Sequence, residues 1–318
     1  MKTVAVALDA MATRFEIVLH GESAVALRAA GEEALAEIAR LEAQLSLYRP
    51  NSEIAHLNAR AAQSAVRVTP SLFALLQHAK RLSEESAGAF DITVAPLVRC
   101  WGFMRGSGRM AANHEIAEAR AKVGMDLVRL NAEDSTVQFA RAGVMLDLGA
   151  IGKGYAVDRA AEVLREAGVT SAIVHGGTST VYALGHPPDA ESWKIAVEKP
   201  KSFANSTSSL LAAVPLKDEA MSVSAVWGKS FEADGRTFGH VLDPRTGWPV
   251  AGALLAAVVL PSATETDALS TALLTVGSAG HEQIAGLRPR LRTLLVLEPE
   301  PGAQLCVEAK GITVQSTG

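Results

Sequence analysis

The segment from Val144 to Asp158 carries the residues best suited to chemistry. It reads as an apolar strand, a glycine-rich turn with one lysine, and a helix. Gly149, Gly152 and Gly154 fall within six positions, so a ligand can approach the backbone with no Cβ in the way. Lys153 can neutralise a phosphate, and the helix after it offers unpaired N–H groups and the positive end of its dipole. These features point to a phosphate-bearing cofactor. Neither standard phosphate loop fits. A Walker A loop needs four residues before its Gly-Lys and then Ser or Thr, whereas Gly149 lies three before Gly152 and Gly154 follows Lys153. The dinucleotide fingerprint fails at Val157. An ordinary strand–turn–helix corner is the plainer reading of the same residues.

Three other groups could act with it. Asp267 and Thr271 are four apart in an expected helix and so share a face. A carboxylate, a hydroxyl and nearby carbonyls make a hard oxygen site suited to magnesium. Equally, Asp267 could only complement the helix dipole after a Thr264 or Thr266 cap. His240 stands just before the turn Asp243 to Gly247, where a histidine can move a proton near neutral pH or be held by backbone alone. Asp91 and Thr93 could form a capping device, and Tyr48 could be a surface aromatic in a helix-exit loop.

The elements that position these groups follow from periodicity. Apolar stripes predict helices over 22–46, 113–123, 155–167 and 265–276, and another from Thr69-Pro70 to Gly88 with Thr69 as N-cap. Strands are expected at the N-terminus, 15–19, 126–130, 136–139, 143–148, 170–175, 179–184, 193–198, 210–216, 221–227, 237–242, 253–260, 293–297 and 303–307. The polar stretch 199–209 reads as a loop. Strands outnumber helices and short turns join them, which indicates an α+β fold with largely antiparallel sheets and packed helices. No linker divides the chain, so one domain over 1–318 is expected.

A net charge of −4, with no Lys/Arg-rich run, argues against a nucleic-acid partner. No stretch approaches the ~20 apolar residues of a transmembrane segment. The apolar start is interrupted by Asp9 and reads as a strand rather than a signal peptide. Cys100 and Cys306 form no disulfide framework, and no lipidation cysteine lies near the N-terminus. A cytoplasmic location is the simplest expectation, with the periplasm also open.

The order of the segments is more specific than any one of them, and it resembles the FAD:protein FMN transferase family, the ApbE-type flavin transferases. Met11 to Thr13 is similar to a Met-Gly-Thr start. Ser46 to Tyr48 with Asn51 to Asn58, Ala89 to Thr93 with Trp101 to Phe103, and Leu146 to Asp158 follow in the family's order. Trp193 to Pro200, His240 to Gly247 and Thr266 to Thr271 complete the series. The resemblance implies an FAD site lined by Met11, Tyr48, Ala89, Phe90, Asp91, Asp147, Lys153 and Leu242. It implies magnesium held by Asp267, Thr271 and the Ala150 carbonyl, with His240 at the catalytic step. The implied activity is transfer of FMN from FAD to a Thr or Ser hydroxyl of an acceptor protein, releasing AMP. FAD hydrolysis to FMN and AMP, and FAD binding without cleavage, are the alternatives. The sequence departs from the pattern at Ala12, His175, Thr178 and in Val223-Ser224-Ala225. These positions bear on acceptor recognition.

Overall fold

In a computed structural model, the structure describes residues 1–200, 209–233, 235–299 and 305–315. The expected loop 199–209 and the start of the expected strand 303–307 lie largely outside them. Strand β1 (Lys2–Ala10) turns into β2 (Thr13–Gly21), and helix α1 (Ala24–Leu45) follows. Next come α2 (Glu53–Arg60), β3 (Val66–Arg67), α3 (Pro70–Glu85), α4 (Ala95–Cys100), α5 (Asn113–Arg120), β4 (Val128–Asn131) and β5 (Thr136–Phe139). Helix α6 (Gly152–Glu166) leads to β6 (Ala172–Gly176), β7 (Thr180–Leu184), β8 (Trp193–Glu198), β9 (Leu210–Leu216) and β10 (Glu219–Ala225). The hairpin β11 (Ser230–Ala233) and β12 (Arg236–Gly239) precedes β13 (Ala253–Leu260), α7 (Ala263–Ala285), β14 (Arg292–Leu297) and β15 (Cys306–Lys310).

Eight strands form one sheet in the order β1-β2-β6-β7-β10-β13-β14-β15, every neighbour antiparallel. The fold is therefore α+β with antiparallel sheets. Helices α1, α6 and α7 cover one face, and the hairpin β8–β9 covers the other. Strand β13 shows why both faces must be covered. Ala256, Val258 and Leu260 point into the helical core, while Leu255, Ala257 and Val259 point into the hairpin core. A strand buried on both sides reads as the continuous apolar run seen in its sequence. No helix among the described residues is long and apolar enough to cross a membrane.

Helix α3 starts as expected, with Thr69 Oγ1 accepting the Leu72 N–H at 3.4 Å and Pro70 in the first turn. Two expectations fail locally. Of the expected strand 143–148, Gly143 belongs to a turn, with a φ of 88°, and residues 144–148 join no sheet. Their backbone is instead gripped by the Asn58 side chain, which accepts from Leu146 N at 2.8 Å and donates to Leu146 O at 2.9 Å. The glycine-rich turn is also shorter than expected, because α6 begins at Gly152 and Lys153 lies in its first turn.

Helix α7 breaks at Gly277, whose φ of 61° ends the first segment at the boundary expected from periodicity. Its start is held by Asp158 of α6. That carboxylate accepts from Ala263 N at 2.7 Å, Thr264 N at 2.8 Å, Ser262 Oγ at 2.9 Å and Thr264 Oγ1 at 2.6 Å. One side chain thus satisfies the orphan donors of a second helix. Asp158→Ala is expected to lower stability by about 2 kcal/mol, the upper range for a lost cap, as read by urea denaturation.

Candidate active site

The site is built where α6 meets α7. Gly154, in the first turn of α6, donates its N–H to Asp267 Oδ2 at 3.0 Å. Gly154 is the third residue of α6, so its N–H is one of the donors a helix leaves without an intrahelical partner, and Asp267 satisfies it. The Ala150 carbonyl accepts no hydrogen bond among the described residues. Asp267 is 4% exposed, and Gly154 is the sole described donor to its carboxylate. Thr271, one turn on, lies 3.3 Å from the Asp267 carbonyl and 3.1 Å from the Ser224 hydroxyl of β10. Carboxylate, hydroxyl and free carbonyl are hard oxygen donors, the chemistry magnesium selects. Among the described residues no three His, Cys, Asp or Glu side chains gather as a metal site. Any cation here therefore rests on one carboxylate and neutral oxygens.

Lys153 donates to the Gly149 carbonyl at 3.0 Å and is paired with no carboxylate among the described residues. Its charge reaches two candidate residues. Burial raises the Asp147 pKa, while the Gly149 N–H at 2.9 Å and Lys153 pull it back. Burial also lowers the His240 pKa below its ordinary value, and the charges of Lys229 and Lys153 add to this. A hydrogen bond to the Lys229 backbone works in the opposite sense. His240 is itself exposed to solvent, although enough protein crowds it to disfavour its charged form.

Tyr48 lies close enough to Asp147 for that charge, after burial, to raise its phenol pKa. Its ring is exposed, at 62%, as expected for a loop aromatic. The loop is tied to the β1–β2 turn. Met11 N–H donates to Glu42 Oε1 at 2.8 Å, and Glu42 also pairs with Arg49. Met11 and Ala12 have φ of 51° and 58°, the pattern of a tight hairpin turn. Ala12 thus occupies the left-handed conformation that glycine adopts more cheaply, by about 1 kcal/mol.

Ala89, Phe90 and Asp91 are buried. Burial raises the Asp91 pKa, opposed by bonds from Thr93 N at 2.7 Å, Thr93 Oγ1 at 2.6 Å, Met125 N at 3.1 Å and Ser83 Oγ at 3.4 Å. Both carboxylate oxygens therefore serve the protein, and Asp91 braces this segment without capping α4, whose N-cap is Val94 with no side-chain cap bond. Asp147 N–H, bonded to the Ile92 carbonyl at 2.7 Å, joins it to the glycine turn. A cleft of about 470 Å³ opens beside Asp91, between Gly88, Gly124, Arg120, Pro244 and Arg245. Lys153, His240 and Asp267 do not line it, so the reacting groups are assigned from hydrogen-bond geometry rather than from cleft size. Leu242 is 5% exposed and packs with Trp101 and Phe103, supporting the His240 segment from beneath.

The structure thus bonds Gly154 to Asp267, with Thr271 one turn further along α7, and sets Lys153 near enough to Asp147 and His240 for its charge to act on both. Sequence reasoning missed Asn58 as a backbone clamp, Asp158 as a cap, Ser224 as a partner of Thr271, and Lys229 beside His240. Their partners are distant in sequence, and local pattern carries no sign of them.

The sequence pattern of the ApbE family matches residues 11–295. The FAD:protein FMN transferase of Haemophilus influenzae is 30% identical over 277 residues, covering 85% of this chain and 79% of the relative. The crystal structure of the ApbE protein of Thermotoga maritima superposes with a TM-score of 0.85 at 27% identity, covering 96% of both chains. The apo flavinyl transferase ApbE of Pseudomonas stutzeri gives a TM-score of 0.83 at 29% identity, covering 97% of this chain and 94% of that one. With most of its length matched in sequence and in fold, this chain belongs to the ApbE family.

Proposed function

We propose that this protein transfers FMN from FAD to a Thr or Ser hydroxyl of an acceptor protein, with magnesium, and releases AMP. The observation that carries this reading is the Gly154–Asp267 hydrogen bond, which joins the lysine-bearing first turn of α6 to the oxygen-rich face of α7. The curated relatives named FAD:protein FMN transferase support it.

Asp267, Thr271 and the Ala150 carbonyl would hold magnesium, which supplies charge compensation at the pyrophosphate. The Lys153 ammonium and its backbone N–H, which bonds no group among the described residues, bind the phosphate oxygens and oppose the charge that builds on the leaving AMP. His240 takes the proton of the acceptor hydroxyl as its oxygen bonds to the FMN phosphorus and the bond to the AMP oxygen breaks. Asp147, Tyr48 and Met11 would line the FAD site beside these groups.

The test is incubation with FAD and magnesium, with and without a Thr-bearing acceptor. Covalent flavin on the acceptor with release of AMP is the expected result. Free FMN without acceptor labelling would identify a pyrophosphatase, and unchanged FAD would identify a binding protein.

His240 also predicts a pH profile. A base must be neutral, and burial and two lysines keep the protonated form disfavoured. The acid limb of single-turnover transfer should therefore fall below the ordinary histidine value of 6.5, rather than at it. His240→Ala should lower the rate ~10²–10⁴-fold with FAD affinity nearly constant. An unchanged single-turnover rate would remove His240 from the mechanism.

A further inference from the structure

Strand β10 runs along α7 with two serines facing it. Met221, Val223 and Ala225 point into the hairpin core, so Ser222 and Ser224 alternate onto the helix side. Ser224 Oγ lies 2.9 Å from Ser270 Oγ and 3.1 Å from Thr271 Oγ1. Ser222 Oγ lies 2.8 Å from Thr266 Oγ1, one turn nearer the start of α7, and 3.1 Å from Thr180 Oγ1 of β7. Both serines tie β10 to its surroundings. Of the two, Ser224 is the one that reaches the proposed cation site.

Each hydroxyl has a single hydrogen to donate, and that count fixes the direction of the bonds around Ser224. The Asp267 carbonyl has two lone pairs. One takes the helical N–H of Thr271, four residues on. The other takes the Ser270 hydroxyl at 3.0 Å. The Thr271 hydroxyl, at 3.3 Å, is a third and more distant claimant on an acceptor already filled. Ser270 has given its hydrogen to that carbonyl, so between Ser224 and Ser270 the donor is Ser224. Ser224 has then given its own, so between Thr271 and Ser224 the donor is Thr271. The chain runs one way, from Thr271 through Ser224 and Ser270 to the Asp267 carbonyl.

We propose that Ser224 is a positioning residue for the cation site: it draws the Thr271 hydrogen toward β10 and so leaves the lone pairs of the Thr271 oxygen for a divalent cation. This rests on the flavin-transfer reading, in which Thr271 is a magnesium ligand. A cation is attracted by oxygen lone pairs and repelled by a hydroxyl hydrogen turned toward it. Without Ser224 the Thr271 hydrogen loses its acceptor and turns through positions that include the one facing the cation. Ser224 itself touches neither cation nor substrate. It acts through Thr271, as the groups behind metal ligands do.

The experiment uses the whole protein as wild type, Ser224→Ala, Ser224→Thr, Ser222→Ala, Thr271→Val and the double variant Ser224→Ala with Thr271→Val. Magnesium affinity is measured by calorimetric titration without and with FAD, and the metal-free melting temperature reports folding. Ser224→Ala should weaken magnesium ~10-fold. Ser224→Thr keeps the hydroxyl and should restore most of that affinity. Ser222→Ala removes a buried hydroxyl from the same strand and can lower the melting temperature, but should leave magnesium affinity unchanged. In the Thr271→Val background Ser224→Ala should cost no further affinity, because the residue it acts through has gone. Four results overturn the proposal: wild type that binds no magnesium in either condition, unchanged affinity in Ser224→Ala, an equal loss in Ser222→Ala, or the same ~10-fold loss with Thr271 already removed. If Ser224→Ala weakens magnesium but wild type neither cleaves FAD nor transfers FMN, the flavin reading fails and the role of Ser224 stands. If wild type transfers FMN with magnesium and Ser224→Ala binds the metal equally well, the flavin reading stands and the role of Ser224 fails.

Discussion

Asp267→Asn is expected to fold as the wild type does and to lose magnesium-dependent FAD cleavage by ~10²–10³-fold. The two halves of this expectation come from the two oxygens of one carboxylate. Oδ2 accepts the Gly154 N–H at 3.0 Å, a structural duty that an amide oxygen also performs. The remaining attraction for a cation comes from the negative charge, which the amide lacks. Thr271 and the Ala150 carbonyl are neutral and cannot replace it. Differential scanning in the absence of metal should give a melting temperature close to that of the wild type. Added magnesium should raise the melting temperature of the wild type and leave the variant unmoved, because a ligand stabilises only the state that binds it. Asp267→Ala removes both duties and should also destabilise. Full magnesium-dependent activity in Asp267→Asn would place the metal elsewhere.

How much of this could be read from sequence depends on the range of the interaction involved. The start of α3 was legible because Thr69 and Pro70 act within one turn. The end of the first α7 segment was legible because Gly277 stops the apolar period. The antiparallel sheet followed from short turns between alternating strands. Residues 143–148 misled, because an apolar extended run carries no mark of whether its partner is a strand or, as here, the side chain of Asn58, 88 residues away. Helix α4 was missed because six residues are too few for a 3.6-residue period to stand out, and α2 was missed although it is as long as the expected α5. The site behaved in the same way. Lys153, Asp267 and His240 were visible as residue types. Their connection through Gly154 was not, because it spans 113 positions.

Gly154→Ala should be among the most damaging small substitutions in the protein, while Gly152→Ala, two residues earlier in the same helical turn, should be harmless. Intrinsic helix preference favours both changes by up to ~1 kcal/mol, so propensity alone predicts two stabilised proteins. Packing separates them. A Cβ on Gly152 would meet nothing closer than Leu148 Cβ at 3.7 Å, an ordinary contact. A Cβ on Gly154 would lie 2.1 Å from the Ala263 carbonyl oxygen, 2.7 Å from its carbon and 2.8 Å from Asp267 Cβ. None of these atoms can rotate aside, since two are backbone and the third is fixed to it. The helices must move apart, which strains the Asp158 cap and stretches the Gly154–Asp267 bond together. Overpacking of this kind costs about 2–3 kcal/mol, more than the propensity gain. Urea denaturation of both variants should show Gly152→Ala at or above wild-type stability and Gly154→Ala well below it. The folded fraction of Gly154→Ala should also respond weakly to magnesium, because the added Cβ displaces Asp267, the charged member of the proposed magnesium set. Equal stability of the two variants would mean that α6 and α7 do not approach as closely as their shared hydrogen bond requires.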